Sequence, residues 1–114
     1  MVIVFGGAYQ GKLDFVKEKF NILDSDICNL KKDDLDLNKK VIYHFEEVKR
    51  KDIKYDLEDL KDKILIINDE SCGLVPIDPI DRKYREEIGR EVVTLSKIAD
   101  EVYRVFLGLG EKIK

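Results

Sequence analysis

Tryptophan is missing from this chain, and histidine and methionine each occur once. Cysteine and proline are nearly as scarce, at two apiece in 114 residues. The cysteines, Cys28 and Cys72, lie far apart and form no C-x-x-C. With His44 as the single histidine, the chain lacks the ligand set of a structural zinc site. Both cysteines read as reduced thiols, and Cys28 as a small buried residue. An excess of charge is missing too: 21 basic residues stand against 24 acidic ones, a net charge of −3. No overall positive field would draw in nucleic acid or an anionic membrane, so neither is expected as a partner. No apolar run comes near the roughly eighteen residues that span a bilayer. The N-terminal apolar run is too short for a signal peptide and flows straight into a glycine loop, so a cytoplasmic protein is expected. With no Pro- or Gly-rich linker and no internal repeat, residues 1–114 read as one domain. Hydrophobic residues make up 44% of the chain and come in periodic runs, which implies a folded protein rather than a disordered one.

What the chain does have is concentrated at its start. Met1-Val2-Ile3-Val4-Phe5 is an apolar run of strand length. It ends on Gly6-Gly7-Ala8-Tyr9-Gln10-Gly11-Lys12, which satisfies G-x-x-x-x-G-K. A helical pattern follows, with Leu13, Val16 and Phe20 on one side and Asp14, Lys17 and Glu18 off it. Strand, glycine loop and helix in this order is the context of a phosphate-binding loop. Glycines let successive backbone N–H groups converge on an anion, the helix adds the positive end of its dipole, and Lys12 would reach the outer phosphates. Residues Gly6 to Leu13 are therefore the expected cofactor-binding segment, for ATP or GTP. One position departs from the motif. Leu13 stands where a Ser or Thr hydroxyl would ligate the accompanying Mg²⁺. The competing reading of the same residues is a Gly-rich turn that binds no phosphate.

Further along, Asp26 to Leu30 reads as a short strand and Lys31 to Lys40 as a solvated connection of mixed charge. Val41 to Phe45 has strand composition but runs into helix-favouring Glu46 to Arg50. It reads either as a strand or as a first helical turn with Ile42, Phe45 and Val48 inward. Asp52 to Lys63 reads as a short amphipathic segment with Leu57 and Leu60 inward. Ile64-Leu65-Ile66-Ile67 is apolar without alternation, the pattern of a parallel strand covered on both faces. It ends on Asn68-Asp69-Glu70, at the edge where open α/β sheets carry their sites. Asp69 or Glu70 is thus a candidate to hold Mg²⁺, against the alternative of an acidic turn or cap. Asp78-Pro79 is a helix start, and Tyr84, Ile88, Val92, Leu95 and Ala99 keep helical spacing. Gly89 interrupts that helix at a cost of about 1 kcal/mol relative to Ala, which suggests close approach of another backbone or a ligand. Glu101 to Leu107 reads as a last strand ending in Gly108-Leu109-Gly110. The alternation predicts an α/β fold with a parallel sheet and helices on its faces.

The second half carries a further pattern: Asp69-Glu70-Ser71-Cys72-Gly73-Leu74-Val75-Pro76, then Arg82-Lys83-Tyr84-Arg85 and Gly89. Ala99-Asp100-Glu101-Val102 through Gly108 and Lys112-Ile113-Lys114 close it. With the opening glycine loop, this set resembles the bifunctional adenosylcobinamide kinase/adenosylcobinamide-phosphate guanylyltransferase family of cobalamin biosynthesis. The resemblance covers the first fifteen or so residues and nearly everything from Ile64 onward. It implies a three-layer P-loop fold of the RecA-like type with a mainly parallel sheet. It also implies phosphorylation of the aminopropanol hydroxyl of adenosylcobinamide, followed by GMP transfer from GTP through a guanylylated histidine. On this chain, Gly6, Gly7, Gly11 and Lys12 would cradle phosphates and Glu70 would belong to the acidic catalytic loop. Arg82 and Arg85 would be the arginine pair. The implied partners are a nucleoside triphosphate, a corrinoid and further copies of the chain. The departures are Leu13, an acidic loop one residue shorter with its first glycine missing, a short middle region, and no H-x-x-R-R segment around His44. They point away from guanylyl transfer. A kinase-like phosphotransferase is the first expectation. The alternative is a catalytically reduced member that binds nucleotide or corrinoid as an oligomer.

Overall fold

The structure, a computed structural model, describes residues 1–69 and 78–114. Its strands are β1 (Val2–Gly6), β2 (Ile27–Asn29), β3 (Val41–Tyr43), β4 (Ile64–Asn68), β5 (Glu101–Phe106) and β6 (Leu109–Lys112). The helices are α1 (Lys12–Phe20), α2 (Glu47–Arg50) and α3 (Pro79–Ile98), with single 3₁₀ turns at Asp24–Asp26 and Leu57–Leu60. They build an α/β domain around one six-stranded sheet of order β2-β3-β4-β1-β5-β6. The first five strands of that order run parallel, and β6 pairs antiparallel with β5.

Alternate residues of the central strands feed two separate cores, so helices cover both faces. Ile3, Ile42, Leu65, Ile67 and Val102 pack with Val48 of α2 and with Ile88 and Leu95 of α3. Val4, Val41, Ile64, Ile66, Tyr103 and Val105 pack on the other face with Val16, Leu13, Phe15 and Phe20 of α1. The unbroken apolar run of β4 follows directly, since both of its faces are buried. Cys28 lies buried in the first core and carries a free thiol. At the start of α3, Asp78 Oδ1 accepts from Ile80 N–H at 2.9 Å, with Pro79 in the first helical position. None of the helices among the described residues is long and apolar enough to cross a membrane.

Three expectations change. The segment after Asp52 has no regular structure before a single 3₁₀ turn, and Ile53 and Tyr55 pack partly on the core. Leu60 is buried, while Leu57 stays 47% exposed. The chain does not stop at the glycines after β5. It turns through Leu107 (φ 53°) and Gly108 (φ 77°) into β6. No backbone approaches Gly89: among the described residues, a Cβ there would meet nothing within 4 Å. Among the described residues, no packing contact requires the glycine, which lines a cavity instead. Gly89→Ala is expected to raise stability by up to about 1 kcal/mol, read as a higher urea midpoint. An unchanged or lower midpoint would mean the position serves a contact not seen in the fold.

Candidate functional site

The carboxyl ends of the parallel strands bring the glycine loop to one edge of the sheet. Gly6 closes β1 against β5, where a Cβ would sit 2.4 Å from the carbonyl oxygen of Val105, so only glycine fits. Tyr9 (φ 59°) and Gly11 (φ 85°) turn the loop, and Gly11 forms the N-cap of α1 without a side chain to offer. The first intrahelical bond runs from Phe15 N–H to Gly11 O at 3.0 Å. The leading amides of Lys12, Leu13 and Asp14 precede it, and no side chain caps them. Residues 8–14 line a cavity of about 390 Å³ that also takes in Lys31, Tyr43, His44 and Asn68.

Lys12 is only 4% exposed, and its ammonium turns back onto the loop, donating to Gly7 O at 2.6 Å. Burial pulls its pKa below the usual 10.5, against the opposing pull of the Glu46 and Asp69 carboxylates; Lys31 adds to the lowering. A cation held under this strain is suited to an anionic ligand, which would raise its pKa again.

Sequence reasoning missed Glu46, the buried carboxylate at this edge. β3 stops at Tyr43 because His44 takes φ 58°, which turns the chain while Phe45 N–H stays bonded to Ile66 O at 3.0 Å. Glu46 then folds back beneath the strand ends at 2% exposure. Its Oε1 accepts from Asn68 N–H at 2.9 Å, and its Oε2 lies 3.1 Å from His44 Nδ1. A carboxylate can only accept, so Nδ1 carries the proton and Nε2 is the ring's remaining nitrogen. The imidazole also stacks on Tyr43, with centroids 3.9 Å apart. Burial alone would push the Glu46 carboxyl up. The hydrogen bonds from His44 and Asn68 outweigh it and hold the group below 4.5. The Tyr43 phenol is pushed up, by burial first and by Glu46 second. The signal available in the sequence was an acidic pair directly after an apolar run, at a point where strand and helix competed.

Of the other expected residues, Asp69 and Arg85 of α3 line a second, neighbouring cavity of about 290 Å³, with Phe5, Ile88 and Gly89. Asn68 lines both cavities. Asp69 N–H donates to Gly6 O at 2.7 Å. Arg82 lies exposed on the first turns of α3. Glu70 falls outside the described residues. Among the described residues, no cluster of three or more His, Cys, Asp or Glu side chains could hold a metal ion by itself.

Fold and site together define a mainly parallel α/β protein with an uncapped glycine loop and a buried lysine at its first strand-to-helix turn. A stretch of 51 residues, 45% of this chain, is 39% identical to the bifunctional adenosylcobalamin biosynthesis protein CobU of Salmonella typhimurium (strain LT2). The match spans 28% of that protein's length and points to a relation with the cobinamide kinase/guanylyltransferase family over part of the chain. No protein-family model matches the chain.

Proposed function

We propose that this chain binds a purine nucleoside triphosphate at Gly6–Leu13 and acts as a phosphotransferase of the adenosylcobinamide kinase type in cobalamin biosynthesis. The observation that carries the reading is the buried Lys12 ammonium beside the uncapped amides of α1. Main-chain donors, a helix N-terminus and a partly desolvated cation are what a phosphate tail requires. A strand order with β4 between β1 and β3 supports a RecA-like P-loop fold, and the partial match to CobU supports the pathway.

Mg²⁺ would be held mainly by phosphate and water, with Asp69 or Glu70 as the carboxylate contact. Such an ion would neutralise charge on the transferred phosphoryl group. In the transfer, an acceptor hydroxyl bonds to the terminal phosphorus as the bond to the diphosphate breaks. The hydroxyl proton must leave, and His44 Nε2, oriented through Nδ1 by Glu46, would take it. Arg85 would meet the acceptor from the second cavity, and Arg82, on the first turns of α3, would complete the arginine pair. A corrinoid acceptor, assembly of several copies and a cytoplasmic location complete this reading. Leu13 favours a second one, in which the chain binds nucleotide or corrinoid without turnover.

Titration calorimetry with ATP and GTP, with and without Mg²⁺, separates the two. Tight Mg²⁺-dependent binding supports the phosphotransferase; metal-independent binding supports the second reading, and no binding of either nucleotide removes the first. Leu13→Ser restores a hydroxyl at the ligand position and is expected to strengthen Mg²⁺-dependent affinity roughly tenfold. Leu13 also packs partly on the α1-side core, so the variant's melting temperature is measured alongside. Flat metal dependence in a folded variant would show that Leu13 is not what limits metal binding.

A further inference from the structure

The glycine loop is tied to the far end of the chain through one side chain. Gln10 Oε1 accepts from Leu107 N–H at 2.8 Å, and Gln10 main-chain O accepts from Gly108 N–H at 2.7 Å. These residues lie 97 or more positions apart in sequence. Both donors sit in the two-residue turn between β5 and β6, at positive φ, with their N–H groups given to the loop. The next residue, Gly11, lies so close that a Cβ there would be 3.2 Å from Gly108 Cα. One turn into α1, Phe15 fills the space over Gly110, where a Cβ would stand 2.1 Å from its ring. The G-x-x-x-x-G-K motif places no demand on residue 10, and the sequence suggests a ligand contact there. In the fold, both Gln10 oxygens are committed to the hairpin.

We infer that Gln10 is a positioning residue, which clamps the loop to the β5–β6 turn so that the leading amides of α1 are pre-set for an anion. The inference rests on the phosphate reading above. A glycine loop free to sample other shapes must be ordered by its ligand, which lowers affinity. A loop anchored to the sheet by two hydrogen bonds has met that cost on folding. The clamp also makes the hairpin respond to the ligand: what orders the loop slows opening of the Leu107 and Gly108 amides.

The test uses inorganic tripolyphosphate as the probe, with calorimetry and site-resolved amide exchange on the full chain. Gln10→Met keeps the length of the side chain and removes its acceptor, whereas Gln10→Glu keeps an acceptor. In Gln10→Met, tripolyphosphate affinity is expected to fall about tenfold. In the wild type, tripolyphosphate slows exchange at Leu107 and Gly108 as well as in residues 11–14. In Gln10→Met the protection at Leu107 is lost, while Gly108, bonded to the main-chain oxygen of residue 10, keeps its own; Gln10→Glu regains Leu107 protection without ligand. A merely structural role would lower the melting temperature without separating the two amides in this way. Equal affinity and equal hairpin protection in wild type and Gln10→Met would overturn the clamp and leave the phosphate site standing. No tripolyphosphate binding by the wild type would overturn both.

Discussion

Lys12→Met is expected to abolish nucleoside triphosphate binding while leaving the unliganded protein folded. The two halves of that result have one cause. Burial lowers the Lys12 pKa below 10.5 even though Glu46 and Asp69 pull it upward, so the folded chain holds the ammonium less readily than the unfolded chain does. Methionine fills the same space without the desolvation cost. Binding loses the cation that would meet the outer phosphates, an effect of about a hundredfold or more in affinity. The sign of the pH dependence follows. As pH rises from the lowered folded value toward 10.5, the unfolded chain still binds the proton that the folded chain has released, so stability rises through that window. Triphosphate affinity falls through the same window, because the neutral amine no longer attracts the anion. Calorimetry and thermal melts across alkaline pH check both trends, and in Lys12→Met both are absent. Undiminished binding in Lys12→Met would place the nucleotide elsewhere.

Glu46→Ala is expected to destabilise the fold by about 3 kcal/mol. The substitution orphans the half-buried N–H of Asn68, removes the partner of His44 Nδ1, and takes an opposing charge from beside Lys12. Glu46→Gln keeps an acceptor for Asn68 and costs less. The two also differ in acid. The Glu46 carboxyl is held below its ordinary 4.5, chiefly by His44 and Asn68 working against burial. Its contribution is present above 4.5 and is lost as pH falls through the lower folded value. Urea unfolding from neutral to acid pH should show that loss in the wild type and a shallower one in Glu46→Gln. Identical acid profiles would mean that the carboxylate carries no net stabilisation.

Several elements were legible because their causes lie within a few residues. The apolar run of β1, the loop glycines and the spacing of Leu13, Val16 and Phe20 fix a strand, a turn and a helix locally. Asp78-Pro79 starts α3 through a bond two residues long. The β5–β6 hairpin was not legible, because its turn is Leu107-Gly108. A two-residue turn with both central residues at positive φ is usually marked by Asn-Gly or Asp-Gly, and a leucine in the first position hides it. Glu46 was hidden for a related reason. Nothing in Tyr43-His44-Phe45 marks the positive φ at His44, which ends β3 and sends the carboxylate inward.

The sequence by itself determined that the chain is α/β, that a glycine loop with Lys12 joins its first strand to its first helix, and that β4 is buried on both faces. Those features come from short-range periodicity and turn chemistry. Only the tertiary structure decided that β4 lies between β1 and β3, that Glu46 and His44 share the cavity of Lys12, and that Arg85 and Asp69 face a neighbouring one. It also decided that the side-chain oxygen of Gln10 pairs with the β5–β6 hairpin. These are contacts between segments distant in the chain, set by which strands pair and which faces they bury, and no local pattern of residues encodes them.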